Sequence, residues 1–118
     1  MTHLTERLDA WRERRQRERE IANITPEEIA DYGLSRAEFR DLALMPSEQI
    51  ARMGTMARVN GLAPERLDDD RALQIAAALT CAHCHEQRRC RDAIRDGATR
   101  EDTDFCPNAE TYRMLAAE

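Results

Sequence analysis

The sequence contains no lysine, so all 18 of its basic residues are arginine, which we interpret as the codon bias of a GC-rich genome. Aromatic residues make up only 4% of the chain, and much of its 42% apolar fraction is alanine, so the predicted core is not a rich one. No apolar run approaches the roughly 18 residues that a membrane span needs. The sequence therefore predicts a protein without a transmembrane segment.

Two further absences concern location and chemistry. The first 15 residues, MTHLTERLDAWRERR, have no apolar run of the kind that a secretory signal carries. We therefore expect a cytoplasmic protein, in a reducing compartment where cysteines serve as metal ligands or reactive thiols more often than as disulfides. The chain also offers no nucleophile–base–orienter set, no phosphate-binding glycine loop and no carboxylate pair with a reason to share a pocket. We predict that it is not an enzyme.

The charge balance bears on the choice of partner. The net charge is −5, and an acidic chain lacks the basic surface with which proteins neutralise phosphates. We therefore expect an unidentified protein partner and no nucleic acid. RNA binding through the arginine-rich segment 12–19 is an alternative, but its interleaved glutamates predict arginines that pair within the helix.

The local signals that are present are helical. TPEE at 25–28 and SRAE at 35–38 are capping boxes, and Asn60-Gly61 and Gly97 predict helix ends. We predict an all-α fold, a single compact domain of six or seven short helices. Its two parts are a charged N-terminal helix, 1–22, and a helical domain, 23–118.

Two of the predicted helices carry an expectation about packing. In the first, Leu4, Leu8 and Trp11 form a narrow apolar stripe that favours docking on protein, either on the same chain or on a partner. The helix that follows Asp70 is apolar nearly all round at 73–79, so we expect it to be the buried centre of the fold.

The four cysteines are the main functional signal, spaced Cys81-x2-Cys84-x5-Cys90-x15-Cys106. The helix pattern places the first at a helix end, the second in a loop, the third on the next helix and Cys106 at the N-cap of the last helix, 107–117. The helix dipole there would stabilise a thiolate. The site would join the last three helices. The neighbouring arginines could offset thiolate charge or form a solvated face; they are Arg88, Arg89 and Arg91.

Four interpretations of this spacing compete. A C-x2-C pair, a third cysteine and a remote Cys-Pro favour an iron–sulfur cluster, of the [4Fe–4S] type, on four thiolates. Zinc is the alternative, held by four thiolates or by three and an imidazole of His83 or His85, the weaker candidates. The C-x-x-C-H run at 81–85 matches haem attachment but leaves Cys90 and Cys106 without a role. The fourth interpretation is plain thiols without a metal.

The blocks CAHCHEQRRCRDAI and FCPNAETYRML, with GLSRAEFRDLA and MARVNGLAPERL upstream, resemble a family of small bacterial proteins of unknown function, numbered 6455. The resemblance covers residues 23–118 and implies no activity. More distantly, the cysteine core is similar to that of WhiB-like and fumarate–nitrate-type regulators, which implies a [4Fe–4S] cluster that responds to oxygen or nitric oxide. The leading hypothesis is thus an iron–sulfur regulator or adaptor, and the rival is a structural zinc module for protein interaction.

Overall fold

The computed structural model describes residues 2–118, and the part it describes is all helical, as predicted. Seven α-helices occur in these residues: α1 Thr2–Ala22, α2 Pro26–Ala30, α3 Arg36–Ala43, α4 Ser47–Val59, α5 Arg71–Ala82, α6 Gln87–Arg95 and α7 Ala109–Ala116. Two 3-10 helices accompany them, Pro64–Leu67 and Arg100–Thr103. No helix in residues 2–118 is both long enough and apolar enough to cross a membrane.

Local sequence signals account for where several helices begin. The Thr25 and Ser35 side chains accept hydrogen bonds from the backbone N–H groups of Glu28 and Glu38. In return, each glutamate carboxylate accepts a hydrogen bond from the backbone N–H of its cap residue. These are the two predicted capping boxes, which satisfy backbone donors that a helix start leaves without partners.

The chain divides into two units by its contacts, one ending at Pro46 and the other spanning Ser47–Glu118. In the first unit α3 contacts α1 and α2, and Arg17 donates a hydrogen bond to the Met45 carbonyl. Four arginines of α1 pair with acids three or four residues away, as the sequence predicts: Arg12, Arg14, Arg15 and Arg17, the last with Glu13 at 2.6 Å. The stripe residues Leu4, Leu8 and Trp11 are exposed.

The core of the second unit forms around α4, not around α5. Its buried members are Met53, Met56, Ala57, Leu62, Leu67, Ala77 and Tyr112. The prediction that α5 is the buried centre was wrong, because α5 buries only Ala77 and leaves Ala76 exposed. An apolar helix needs neighbours on every side to be buried, and α5 makes its main contacts with α4 and the 3-10 helix Pro64–Leu67 alone.

Two glycines of this unit should respond to alanine with opposite signs. Gly61 follows α4 with φ +86, a backbone conformation that costs an L-residue about 1 kcal/mol or more. Gly54 lies inside α4, where a Cβ would meet only Pro64 at 3.8 Å. We expect Gly61→Ala to lower the free energy of unfolding by about 1–2 kcal/mol and Gly54→Ala to raise it by up to about 1 kcal/mol. Urea unfolding would measure both, and a loss of stability in Gly54→Ala would contradict this account of the helix.

Candidate metal site

All four cysteines of the chain line one cavity of about 30 Å³ within the second unit. They come from four places in the sequence. Cys81 lies in the last turn of α5, Cys84 in the loop after it, Cys90 on α6 and Cys106 in the turn between the second 3-10 helix and α7. None of them forms a disulfide, and each is partly buried. The fold thus gathers thiols that are up to 25 residues apart in sequence into one pocket.

The rest of the lining is apolar wall with a few polar groups. Met53, Met56, Phe105 and Pro107 contribute the apolar surface. Arg52, Gln87, Asn108 and Tyr112 contribute nitrogen and oxygen atoms. The guanidinium of Arg89, which is outside the lining, stacks over the Phe105 ring at 4.6 Å in a cation–π contact.

All four thiols have a hydrogen-bond donor beside them, and the donor to Cys90 is the side chain of Arg52. The Glu86 backbone N–H donates to Cys84 Sγ at 3.2 Å, and Gln49 Nε2 lies 3.6 Å from Cys81 Sγ. The Asn108 backbone N–H donates to the Cys106 thiol. Hydrogen bonds to sulfur favour the thiolate over the thiol, and thiolate is the form that binds metals.

Cys106 differs from its predicted position. The last helix begins at Ala109 with Asn108 as its N-cap, so Cys106 lies three residues before the helix and not at its N-cap. Proline favours the first position of a helix, but Pro107 lies in a turn instead. This turn is closed by a hydrogen bond from the Ala109 N–H to the Cys106 carbonyl at 3.0 Å. Burial raises the pKa of this thiol, and a single amide, that of Asn108, replaces the predicted helix dipole as the donor that opposes the rise.

The two histidines are not brought to the cavity. His83 and His85 flank Cys84 in the loop, but both are exposed and neither belongs to the cavity lining. Among residues 2–118 no three His, Cys, Asp or Glu side chains form a group that could hold a metal ion as they are placed.

The arginine at the cavity is not one of those the sequence indicated. Arg88, Arg89 and Arg91 are exposed on α6 and do not line it. The cation in the lining is Arg52, on α4, with Gln49 beside it on the same helix. Sequence reasoning missed both because they lie about 30 residues before the cysteines, and their only local signal is a Glu48–Arg52 pair at helical spacing.

Burial dominates the acid–base behaviour of three thiols. It raises the pKa of Cys81, Cys90 and Cys106 above the ordinary value of 9.0, while the charge of Arg52 opposes the rise at Cys90. Burial also raises the pKa of Tyr112. Without a metal, these thiols are therefore protonated at neutral pH, and metal binding must release their protons.

This arrangement predicts how the metal-free protein responds to alkali. Because the raised pKa values belong to the folded state, the unfolded chain loses its thiol protons first as the pH rises. The stabilising contribution is complete below pH 9.0 and is lost above it. Urea unfolding at pH 8 to 10 should show falling stability, with a shallower fall in a Cys81→Ala/Cys90→Ala/Cys106→Ala variant. Equal slopes in the two proteins would contradict the burial account.

No protein-family model, curated protein sequence or solved structure matches this chain.

Proposed function

We propose that this protein binds an iron–sulfur cluster through Cys81, Cys84, Cys90 and Cys106 and regulates a protein partner according to the state of that cluster. The observation that supports the proposal is the convergence of the four thiols on one cavity with apolar walls. Thiolates hold iron–sulfur clusters, and hydrogen bonds to sulfur and limited solvent access tune them. The donors from Glu86, Gln49 and Asn108 fit that chemistry.

The proposed signal is a local change in order. The cysteines lie on, and between, the elements that span residues 81–107. A cluster bonded to all four would tie these elements to one centre, and its loss would release them. The segment has an exposed, arginine-rich outer surface that a partner protein could read, formed by Arg88, Arg89 and Arg91.

The first experiment is metal and sulfide analysis with an absorption spectrum, on protein purified without oxygen and without added metal. Iron and sulfide in equal amounts, with an absorption band near about 400 nm that bleaches in air, would support the cluster. Zinc without colour would replace it with the second candidate. Protein with neither metal would overturn both.

That second candidate is a structural zinc module that serves as a protein-interaction adaptor. The small cavity volume, about 30 Å³, favours it, because a single ion needs less space than a cluster. A cluster would have to displace part of the lining. The loop around Cys84, which is partly exposed, is the part of the lining that could move. Zinc would contribute folding energy on the order of 10 kcal/mol and sense nothing.

Limited trypsin digestion tests the signalling half of the proposal, because every basic residue of the chain is an arginine. Loaded protein should be cleaved at Arg88–Arg100 at least about tenfold more slowly than metal-free protein, since proteolysis follows the opened population. Cleavage within 12–19 of α1, in the other unit, is an internal control and should not change. Equal protection of both segments, or of neither, would contradict a local release at 81–107.

A further inference from the structure

Arg52 is a cation that the fold places at the cavity from outside the cysteine segment. Its side chain is 14% exposed, although it carries a full positive charge. Charged side chains are seldom buried to this extent without paired partners, because removing them from water is costly. The hydrogen-bond partners of Arg52 therefore indicate the role of this side chain.

Two of the three guanidinium nitrogens have protein acceptors. Nη1 lies 2.6 Å from the Glu48 carboxylate on the same helix, and Nη2 donates to Gln87 Oε1 at 2.9 Å. Gln87 in turn donates from Nε2 to the Cys81 carbonyl at 3.0 Å, which Gln49 Nε2 also reaches at 2.9 Å. The guanidinium is thus fixed to the backbone of a cysteine through a single side chain.

The third nitrogen, Nε, has no acceptor. Among the described residues it is the buried side-chain nitrogen or oxygen that lacks a hydrogen-bond partner. A buried donor without a partner costs about 1–3 kcal/mol, so its persistence calls for an explanation at this site. The Arg52 side chain already hydrogen-bonds the Cys90 thiol in the four-thiol cavity, where a thiolate or a sulfur atom of a bound cluster would supply an acceptor for Nε as well.

We infer that Arg52 is the charge-setting residue of the metal site, held by Glu48 and Gln87 so that its guanidinium faces the sulfur atoms of the centre. This inference rests on the proposed function. Four thiolates leave a bound centre with net negative charge, and a fixed cation beside it favours any state that carries more negative charge. For a cluster that state is the reduced one, which gains one electron from an added reductant such as dithionite. Glu48 limits the effect by neutralising part of the guanidinium charge.

The test compares wild-type protein with Arg52→Gln, Arg52→Lys, Glu48→Gln and Arg58→Gln after anaerobic loading with Fe²⁺ and sulfide. Arg58 is exposed on the same helix and is outside the cavity lining, so Arg58→Gln is a matched control for the loss of one positive charge. Iron and sulfide contents are measured first, and the reduction equilibrium is then followed by spectroscopic titration.

We expect Arg52→Gln to lower the one-electron reduction constant about tenfold, which corresponds to about 59 mV. Glu48→Gln should shift it in the opposite direction, and Arg52→Lys, which keeps the charge, should stay near wild type, as should Arg58→Gln. If Arg52 and Glu48 only held the site together, both Arg52→Gln and Glu48→Gln would loosen it. The two substitutions could not then move the reduction equilibrium in opposite directions. Equal values for Arg52→Gln and Arg58→Gln, or shifts of one sign in Arg52→Gln and Glu48→Gln, would overturn the inference.

A Co²⁺ titration of the metal-free proteins separates this inference from the proposed function. If wild-type protein takes up no iron, the cluster proposal fails. The charge-setting role of Arg52 can still be tested, because Arg52→Gln should weaken Co²⁺ binding about tenfold and Glu48→Gln should strengthen it. Unchanged Co²⁺ affinity in both variants, or no Co²⁺ binding by wild type, would overturn the charge-setting role as well.

Discussion

Serine at any one of the four cavity cysteines should lower the metal content of the purified protein at least about tenfold. The expectation is strongest for Cys106, because it is remote in sequence and reaches the cavity only through the fold. The Cys106→Ser substitution removes one of the four thiolates and keeps a side chain of similar size. Metal analysis of protein purified without oxygen would measure the loss.

The histidines beside Cys84 provide the matched control. His83 and His85 are exposed and lie outside the cavity lining, so His85→Ala should retain the wild-type metal content. Full metal retention in Cys106→Ser would refute the four-thiolate set. Loss of metal in His85→Ala would instead support an imidazole ligand and a rearranged loop.

Removal of the Asn60 side chain should destabilise the second unit by about 3 kcal/mol, the cost of losing a hydrogen bond to a charged group and of leaving that donor without an acceptor. Asn60 is fully buried, and its Oδ1 accepts from Arg113 Nε at 2.8 Å and from Thr103 Oγ1 at 3.3 Å. Its Nδ2 donates to the Met56 carbonyl at 2.9 Å. Asn60→Ala therefore leaves Arg113 Nε without its acceptor, whereas the Thr103 hydroxyl keeps the Arg100 carbonyl at 2.8 Å.

Urea unfolding would measure the effect, with Asn23→Ala as the control because Asn23 is exposed in the other unit. The network also reaches the metal site, since Arg113 Nη2 donates to the Arg100 carbonyl at 2.6 Å and pairs with Asp104 at 2.8 Å, next to the segment that carries Cys106. We therefore expect Asn60→Ala to bind metal more weakly too. A change in stability below about 0.5 kcal/mol, typical of surface substitutions, would show that Asn60 is not a structural hub.

The parts of the fold that the sequence predicts are those governed by neighbours along the chain. Capping boxes at Thr25 and Ser35 act within four residues, and Gly33, Gly61 and Gly97 end helices through their own positive φ angles. The all-α class and most helix ends follow from such signals. Cys106 shows the limit, because Pro107 fits both a helix start and a turn, and long-range packing of Asn108 on the Ala77 carbonyl at 2.8 Å accompanies the turn.

The spacing of the cysteines predicted that they share a site, and their binding of a metal stays a prediction; the surroundings of the cavity were not predictable. The cysteine spacing indicated one shared site, and the structure gathers the four thiols in one cavity. Arg52 and Gln49 reach it because α4 packs against α5 and α6, a contact that no local pattern encodes. The burial error at α5 has the same origin: its composition is apolar, but the number of helices available to cover it is a property of the whole unit.

Helix α4 supplies Met53 and Met56 to both the hydrophobic core and the cavity wall, and Gln49 and Arg52 to the cysteines. Packing and the proposed metal binding would therefore be thermodynamically linked through one helix. A ligand that binds only the folded form adds stability by mass action, so occupancy and folding depend on the same equilibrium. In a cell, a core substitution far from any thiol would lower the metal content at fixed metal supply and would resemble the loss of a ligand. Occupancy measured as a function of metal concentration, and not at a single concentration, would distinguish the two.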